Sequence, residues 1–399
     1  MDSRRKFLGN VATGLGASLA PGQVLGANDR IRLGIIGAGA RGMEIVKEAI
    51  ACPNTEFIAF ADVYTRALEN AKSVAPNAKT YLDYRYLLEN KDVDAVLVAT
   101  PQHLHCEHFT ATLEAGKHCY QEKTMAFTVE HAKRMRDAYR KHQKQTVQIG
   151  HQHISSGLMT DAVDMLKANK LGKITMIEAH MFRNTPHGKP QWSRPVYPDM
   201  NPENIIWKSF LGEAPQREFD ANRYTNWRFF WDYSGGNFYE NMCHQLAFWY
   251  KPLKLQIPRA VTTTGGVYLW KDGREVPDTM SVAMEHPEEI LVTWSSAFGN
   301  SQLGVAEHIL GDEGSILKSQ QIRYVPQKVN RPKDEEVLGS TRTEPRAHMQ
   351  NFLDSVRGTA KPNCPFDVGY RVSIACRMAV ESYRQKRTIQ WDASKEEMV

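Results

Sequence analysis

The 399-residue chain has no long uninterrupted apolar run, no Cys-x-x-Cys pair, no internal repeat and no low-complexity tract. Its apolar N-terminal stretch, Val11 to Ala27, is broken by Gly14, Gly16, Pro21 and Gly22, which makes it a poor transmembrane span. The six cysteines, at 52, 106, 119, 243, 364 and 376, form no compact framework, so a disulfide-stapled scaffold is not indicated. Mostly free thiols are expected, with Cys119 a small core residue in a buried strand. Charge of one sign is also scarce. Formal net charge is +5; Asp2, Arg4, Arg5 and Lys6 contribute +2, and the rest is too scattered for nucleic-acid binding. What remains is an ordinary soluble composition, 42% hydrophobic and 24% charged, in a chain long enough for two cored domains.

The first residues carry a different message. Ser3-Arg-Arg-Lys-Phe-Leu8 is a twin-arginine sequence ahead of the weakly apolar Val11–Ala27 segment. Residues 1–27 resemble a Tat export signal, with cleavage expected near Gly26 or Ala27. That resemblance implies folding in the cytosol and delivery to the periplasm.

The organising stretch is Ile31 to Gly42. A run of β-formers, Ile31–Ile36, meets Gly37-x-Gly39-x-x-Gly42, and Met43 to Ala51 reads as a helix. Gly37 makes the tight turn, Gly39 lets backbone approach a pyrophosphate, and Gly42 lets helix pack on strand. The pyrophosphate then sits at a helix N-terminus, where free N–H groups and the dipole favour an anion. A second apolar run, Phe57–Ala61, ends in Asp62, 20 residues after Gly42, where a carboxylate binds ribose hydroxyls. The same carboxylate repels a 2′-phosphate, so NAD is favoured over NADP.

From Ile31 to about His151, apolar runs at 31–36, 57–61, 93–99, 118–121 and 146–149 alternate with helical segments. That alternation predicts a doubly wound parallel Rossmann sheet over 28–150, with a ligand crevice at the strand C-termini. Two of those ends are chemically loaded, as Ala99-Thr-Pro-Gln-His-Leu-His105 and Tyr120-Gln-Glu-Lys-Thr124. A charged Glu122-Lys123 pair in such a crevice is costly to desolvate unless it binds something.

Beyond Gly150 the pattern changes. A helix is expected over 157–169, then strand-like runs at 174–182, 259–269, 279–286, 289–295 and 303–310. They predict a C-terminal α+β domain, 151–399, with a mainly antiparallel open sheet. Helices are expected at 348–356 and 368–384, the last packing back on the Rossmann domain. Residues 326–346 read as a charged, exposed connection. The stretch from Arg183 to Tyr233 is long, proline-containing and rich in aromatics, among them Trp192, Tyr197, Trp207, Tyr224 and Trp227. It suggests an ordered substrate lid, since aromatic faces stack on the C–H faces of sugars.

Taken together, the glycine motif, the acid ending the second strand, Thr100-Pro-x-x-x-His105 and Glu122-Lys123-x resemble the Gfo/Idh/MocA family of NAD(P)-dependent sugar and cyclitol oxidoreductases. The resemblance runs from residue 30 to the C-terminus. Where the family usually has a proline, often in a cis peptide, this chain has Thr124. Where it usually has Asp four residues before its motif histidine, this chain has Glu240 before His244. The resemblance and the residues together assign Gly37, Ala38, Gly39, Arg41, Gly42, Asp62, Thr100, Pro101, His105, Glu122 and Lys123 to NAD. Substrate contacts are assigned to Lys123, His151, Gln152, Arg183, Trp227 and His244. A family-type homo-oligomer, paired through the open sheet, is also implied.

The chemistry requires a base near the carbinol oxygen as hydride leaves. Lys123 is expected to polarise that oxygen, or to act as a base if desolvation beside a positive nicotinamide lowers its pKa. His244 is the natural proton acceptor. Glu240, expected on the same helical face four residues earlier, would orient the imidazole. His103, His105, His151 and His153 form two His-x-His pairs, but no nearby carboxylate or cysteine completes a recognisable set, and no metal is assigned. Two cycles fit: oxidoreduction of a carbohydrate or polyol on retained NAD, or a redox-neutral cleavage of a glycoside. A non-catalytic cofactor-binding sensor is a third reading, which Lys123 and His244 disfavour.

Overall fold

The computed structural model describes residues 30–327, 329, 337–339 and 347–399, so the export-like segment and most of the 326–346 connection lie outside the described residues. The first half comprises β1 (Ile31–Ile36), α1 (Ala40–Ile50), β2 (Thr55–Ala61), α2 (Thr65–Val74), β3 (Lys79–Tyr81), α3 (Tyr84–Glu89), β4 (Ala95–Val98), α4 (His105–Glu114), β5 (His118–Gln121), α5 (Val129–Lys141) and β6 (Val147–Ile149). The strands pair in parallel in the order β3-β2-β1-β4-β5-β6. This is the doubly wound Rossmann arrangement, and strand order reverses between β1 and β4. β4 is buried throughout, the signature of a central strand covered on both faces. The two elements that the apolar runs do not reveal, β3 and α3, have three and six residues and carry no sustained period.

The second half follows as α6 (Gly157–Lys167), β7 (Ile174–Phe182), α7 (Trp207–Leu211), α8 (Ala221–Thr225), α9 (Cys243–Leu253), β8 (Ala260–Gly266), β9 (Thr279–Glu285), β10 (Leu291–Ala297), β11 (Val305–Gly311), β12 (Gly314–Lys318), β13 (Ile322–Pro326), β14 (Val337–Gly339), α10 (Ala347–Val356), α11 (Phe366–Gln385), β15 (Ile389–Asp392) and β16 (Glu397–Met398). Ten strands form one open sheet, β14-β13-β12-β11-β7-β10-β9-β8-β15-β16. Its ladders are antiparallel except for β7 with β10. Strands β8 and β9 alternate buried and more exposed residues, as a sheet with one covered face must.

The two sheets share a core. α11 lies between them, with Phe366 stacked on Tyr139 of α5 at 4.5 Å and Ser373 Oγ accepting from Ala126 N at 3.2 Å. α10 also returns to the nucleotide sheet, where Phe352 packs edge-on against Tyr120 of β5. The six cysteines are buried and none is in a disulfide.

Gly369 marks a close approach in this junction, since a Cβ there would fall 2.8 Å from Ile149 Cγ1. Gly369→Val is expected to destabilise the protein by about 1–3 kcal/mol through overpacking. The check is a lower urea midpoint at constant slope; an unchanged midpoint would contradict the close approach.

Candidate active site

The C-terminal ends of β1, β2 and β4 open on a cleft of about 1080 Å³ that reaches from Asp62 past the glycine loop to Thr100 and Pro101. Gly37 has φ +95°, and a Cβ there would meet the Ala99 carbonyl at 2.8 Å. A Cβ on Gly42 would fall 2.0 Å from Gly37 O, so helix and loop meet only because both residues are glycine. At Gly39 nothing lies within 4 Å of such an atom, and no side chain caps the N–H groups of α1. The loop is therefore open on the side where a pyrophosphate would approach.

Asp62 closes the other end. Its Oδ2 accepts from Ala38 N at 2.8 Å and its Oδ1 from Tyr64 N at 3.0 Å. Burial pushes its carboxyl up to about 6, against the backbone hydrogen bonds that favour its charge. Tyr64 OH and Arg66 both bind Asp199, at 2.6 and 2.7 Å, and a short bridge joins Tyr64 to Ile205. The aromatic segment expected to be a substrate lid is thereby fastened beside the ribose end. Arg194, Tyr197, Tyr224 and Trp227 line the dinucleotide cleft. Its rings mostly pack on one another, as Trp207 with Phe210 at 5.0 Å and Phe210 with Tyr224 at 5.1 Å. Trp227 carries the Arg228 guanidinium at 4.2 Å over its ring, so that face is not free for a sugar.

At the end of β5, Glu122 and Lys123 do not form a side-chain ion pair. Glu122 is 3% exposed; its Oε1 accepts from Arg41 Nε at 2.9 Å and Gln152 Nε2 at 3.1 Å, and its Oε2 from Lys123 N at 3.0 Å. It thus ties α1 and the β6 end to the β5 turn. Arg41 spends its side chain on Glu122, Glu44 and Glu48. The Lys123–Thr124 peptide is cis without proline, and Thr124 Oγ1 donates to Tyr239 O at 2.7 Å.

Lys123 Nζ instead donates to Glu240 Oε2 at 2.9 Å and to Glu240 O at 3.2 Å. Burial alone would lower its pKa, but the Glu240 charge raises it above the usual lysine value. Paired with Glu240, Lys123 is therefore a cation, the state that polarises a carbinol oxygen, and the depressed base expected beside a positive nicotinamide is not the state this ion pair favours. Glu240 also takes Arg228 Nε at 3.3 Å and Gln102 Nε2 at 2.7 Å. Burial opposes its charge, but Arg228 and Lys123 prevail and hold the carboxyl down at about 2.

The expected Glu240–His244 pair is not formed. Phe238–Met242 is a π turn, and the α-helical repeat starts only at Cys243. The widened turn breaks the four-residue face arithmetic, and the carboxylate points to three other partners. His244 makes no hydrogen bond among the described residues; its Nδ1 is buried and unpartnered, and its ring stands edge-on to His151 and His153. Burial first, then the Lys123 charge, push its pKa well below the usual histidine value.

His105 is corrected too. It is 1% exposed, with ring nitrogens 2.9 Å from Thr100 O and 2.8 Å from Thr124 O. It joins the β4 and β5 ends from behind and offers nothing to the cleft. His151 is equally buried, with both nitrogens unpartnered, whereas Arg183 follows β7 near Glu240. The roles of Gln102, Arg228, Tyr64, Arg66 and Asp199 were not assigned from sequence. Gln102 stands inside the Thr100–His105 motif, and Tyr64 and Arg66 follow Asp62; Asp199 has no sequence signal.

Two family models match the chain: an oxidoreductase-family NAD-binding Rossmann fold over residues 31–151, and the same family's C-terminal alpha/beta domain over 214–391. An inositol 2-dehydrogenase of Agrobacterium fabrum is 30% identical over 171 residues, 42% of this chain and 49% of that protein. A glycosyl hydrolase family 109 protein of Shewanella baltica is 34% identical over 125 residues, 29% of this chain and 27% of that protein. The chain thus spans less than half the length of these curated relatives. A levoglucosan dehydrogenase solved with NADH and levoglucosan shares the fold, with TM-score 0.69 at 16% identity over 90% of this chain and 99% of that one. An oxidoreductase domain protein of Kribbella flavida gives TM-score 0.71 at 17% identity, over 90% and 99%.

The raised Asp62 carboxyl yields a pH prediction. Ribose hydroxyls donate to the ionised form, so NAD affinity is expected to be constant above about pH 7 and to fall, by up to about tenfold per unit, below about 6. Titration calorimetry across pH checks this, and Asp62→Asn is expected to weaken binding and flatten the profile. By fold, cofactor cleft and both family models, the chain belongs to the Gfo/Idh/MocA oxidoreductases and binds NAD.

Proposed function

We propose that the chain transfers hydride between NAD and a carbinol carbon of a carbohydrate or polyol, on a cofactor retained between turnovers. The observation that carries this reading is the Lys123–Glu240 pair at 2.9 Å with an unpartnered, neutral His244 beside it. Bound NAD supplies the hydride acceptor. Lys123, kept charged by Glu240, polarises the carbinol oxygen and holds the developing alkoxide. His244 is uncharged at physiological pH and takes the hydroxyl proton. Arg228 and Gln102 keep the Glu240 carboxylate from turning away from Lys123.

Retention is supported by the segment that crosses the cleft and fastens through Asp199 to Tyr64 and Arg66. It also accords with the twin-arginine N-terminus: a periplasmic enzyme has no maintained NAD pool and is served by a cofactor carried out already bound. We assign the protein to the periplasm on that basis, with pairing of copies through the open face of the second sheet. A redox-neutral glycoside cleavage is the second reading, supported by the likeness to the Shewanella baltica glycosyl hydrolase family 109 protein.

Lys123→Met and His244→Asn are each expected to cut turnover by about 10²–10⁴ while leaving NAD binding intact. Unchanged turnover in both variants would overturn the assignment. Product analysis separates the two cycles: an oxo-sugar supports net oxidation, a cleaved but unoxidised sugar the redox-neutral route.

A further inference from the structure

Glu240 lies among more positive donors than its carboxylate pairs with. Arg183 leaves β7 with its backbone N donating to Ala297 O at 3.0 Å, yet its guanidinium has no partner among the described residues. It is half-buried, and the β7 end it follows is tied to the turn that presents Glu240 through Ser296 Oγ, which donates to Met181 O at 2.6 Å and accepts from Asn237 Nδ2 at 2.8 Å. The Glu240 charge accordingly favours that of Arg183, which in turn disfavours protonation of His153. Arg228 uses Nε on Glu240, stacks on Trp227, and has no partner for its Nη groups among the described residues. Lys123, Arg228, Arg183 and Arg194 thus all lie within the field of the single Glu240 carboxylate.

The neighbouring acids do not relieve this imbalance. Glu122 is engaged by Arg41 and Gln152. Glu307 is held by Lys318 at 2.6 Å and Gln245 at 3.1 Å. The dinucleotide does not explain Arg183 either, because that residue does not line the cofactor cleft, whereas Arg194 and Arg228 do.

A partly buried guanidinium without a counter-charge is costly, and the cost is recovered when an anion enters. A neutral sugar offers these cations only hydroxyl lone pairs and no counter-charge. A planar guanidinium instead matches a carboxylate or phosphate with two parallel hydrogen bonds. We infer that the substrate is an anionic carbohydrate or polyol, bearing a carboxylate or a phosphate ester, whose charge is received by Arg183 and Arg228 while its carbinol lies at Lys123. This inference rests on the hydride-transfer reading and narrows its substrate class.

The test uses the full chain loaded with NADH. Calorimetry measures binding of a panel of neutral hexoses and polyols, each beside its uronate or aldonate and its phosphate ester. One anionic class is expected to bind about 10- to 100-fold more tightly than its neutral partners, and the class that wins separates carboxylate from phosphate. The preference is expected to shrink with added salt. Arg183→Gln is expected to erase it and Arg183→Lys to restore part of it, with NADH affinity unchanged. Should Arg183→Gln fail to fold, the salt dependence of the unaltered protein decides. Equal binding of neutral and anionic partners, insensitive to salt and to Arg183, overturns the inference and leaves hydride transfer standing. Failure of the NADH-loaded protein to bind any sugar or polyol overturns both.

Discussion

A buried carboxylate survives only where its charge is answered, and Glu240 is answered from three directions. Lys123 arrives from the end of β5, Gln102 from the end of β4, and Arg228 from the segment that crosses the cleft. Gln102 in turn accepts from Gly235 N at 3.0 Å, closing the network back on the turn that presents Glu240. Removing any one partner leaves a buried charge less well compensated, which is why these segments are bound to a common geometry. The network has a chemical consequence as well. It keeps Lys123 charged and leaves His244 without a carboxylate partner, which under the proposed hydride transfer divides electrostatic stabilisation and proton acceptance between two residues.

The cofactor cleft depends on a second set of contacts, at its opposite end. Asp62 pins the glycine loop through Ala38 N, and Tyr64 and Arg66, two and four residues later, hold Asp199. The residues that shape the ribose end therefore also fasten the segment that covers it. Its aromatic rings form a small core of their own, from Phe210 to Tyr233, which makes the cover a packed unit. The same aromatic composition that suits sugar stacking is used here for self-packing and for lining the dinucleotide cleft.

Much of the Rossmann half was legible because its signals are local. Gly42 clears the Gly37 carbonyl five residues earlier, Gly37 takes a positive φ in the turn, Gly39 leaves the loop open, and Asp62 ends a buried run. Lys123 and His244 were readable as candidate reactive groups through the motifs that contain them. Their partners were not. The Glu240–His244 expectation assumed 3.6 residues per turn, and the π turn at Phe238–Met242 broke that assumption. His105 sits in the right motif but faces inward, because side-chain direction at a helix start depends on packing that spacing does not encode. Strands β12 to β16 have two to five residues each, too few for a two-residue period to stand out. The Asp199 latch joins residues 135 apart in sequence, and nothing local announces it.

The most direct measurement is made on purified, extensively desalted protein. It is denatured, the polypeptide is removed, and the supernatant is assayed for nicotinamide dinucleotide. A fastened cover over the cleft predicts NAD(H) close to one equivalent per chain. A protein that emerges empty yet binds added NAD rapidly and reversibly would contradict retention, and one that binds none would contradict the site itself.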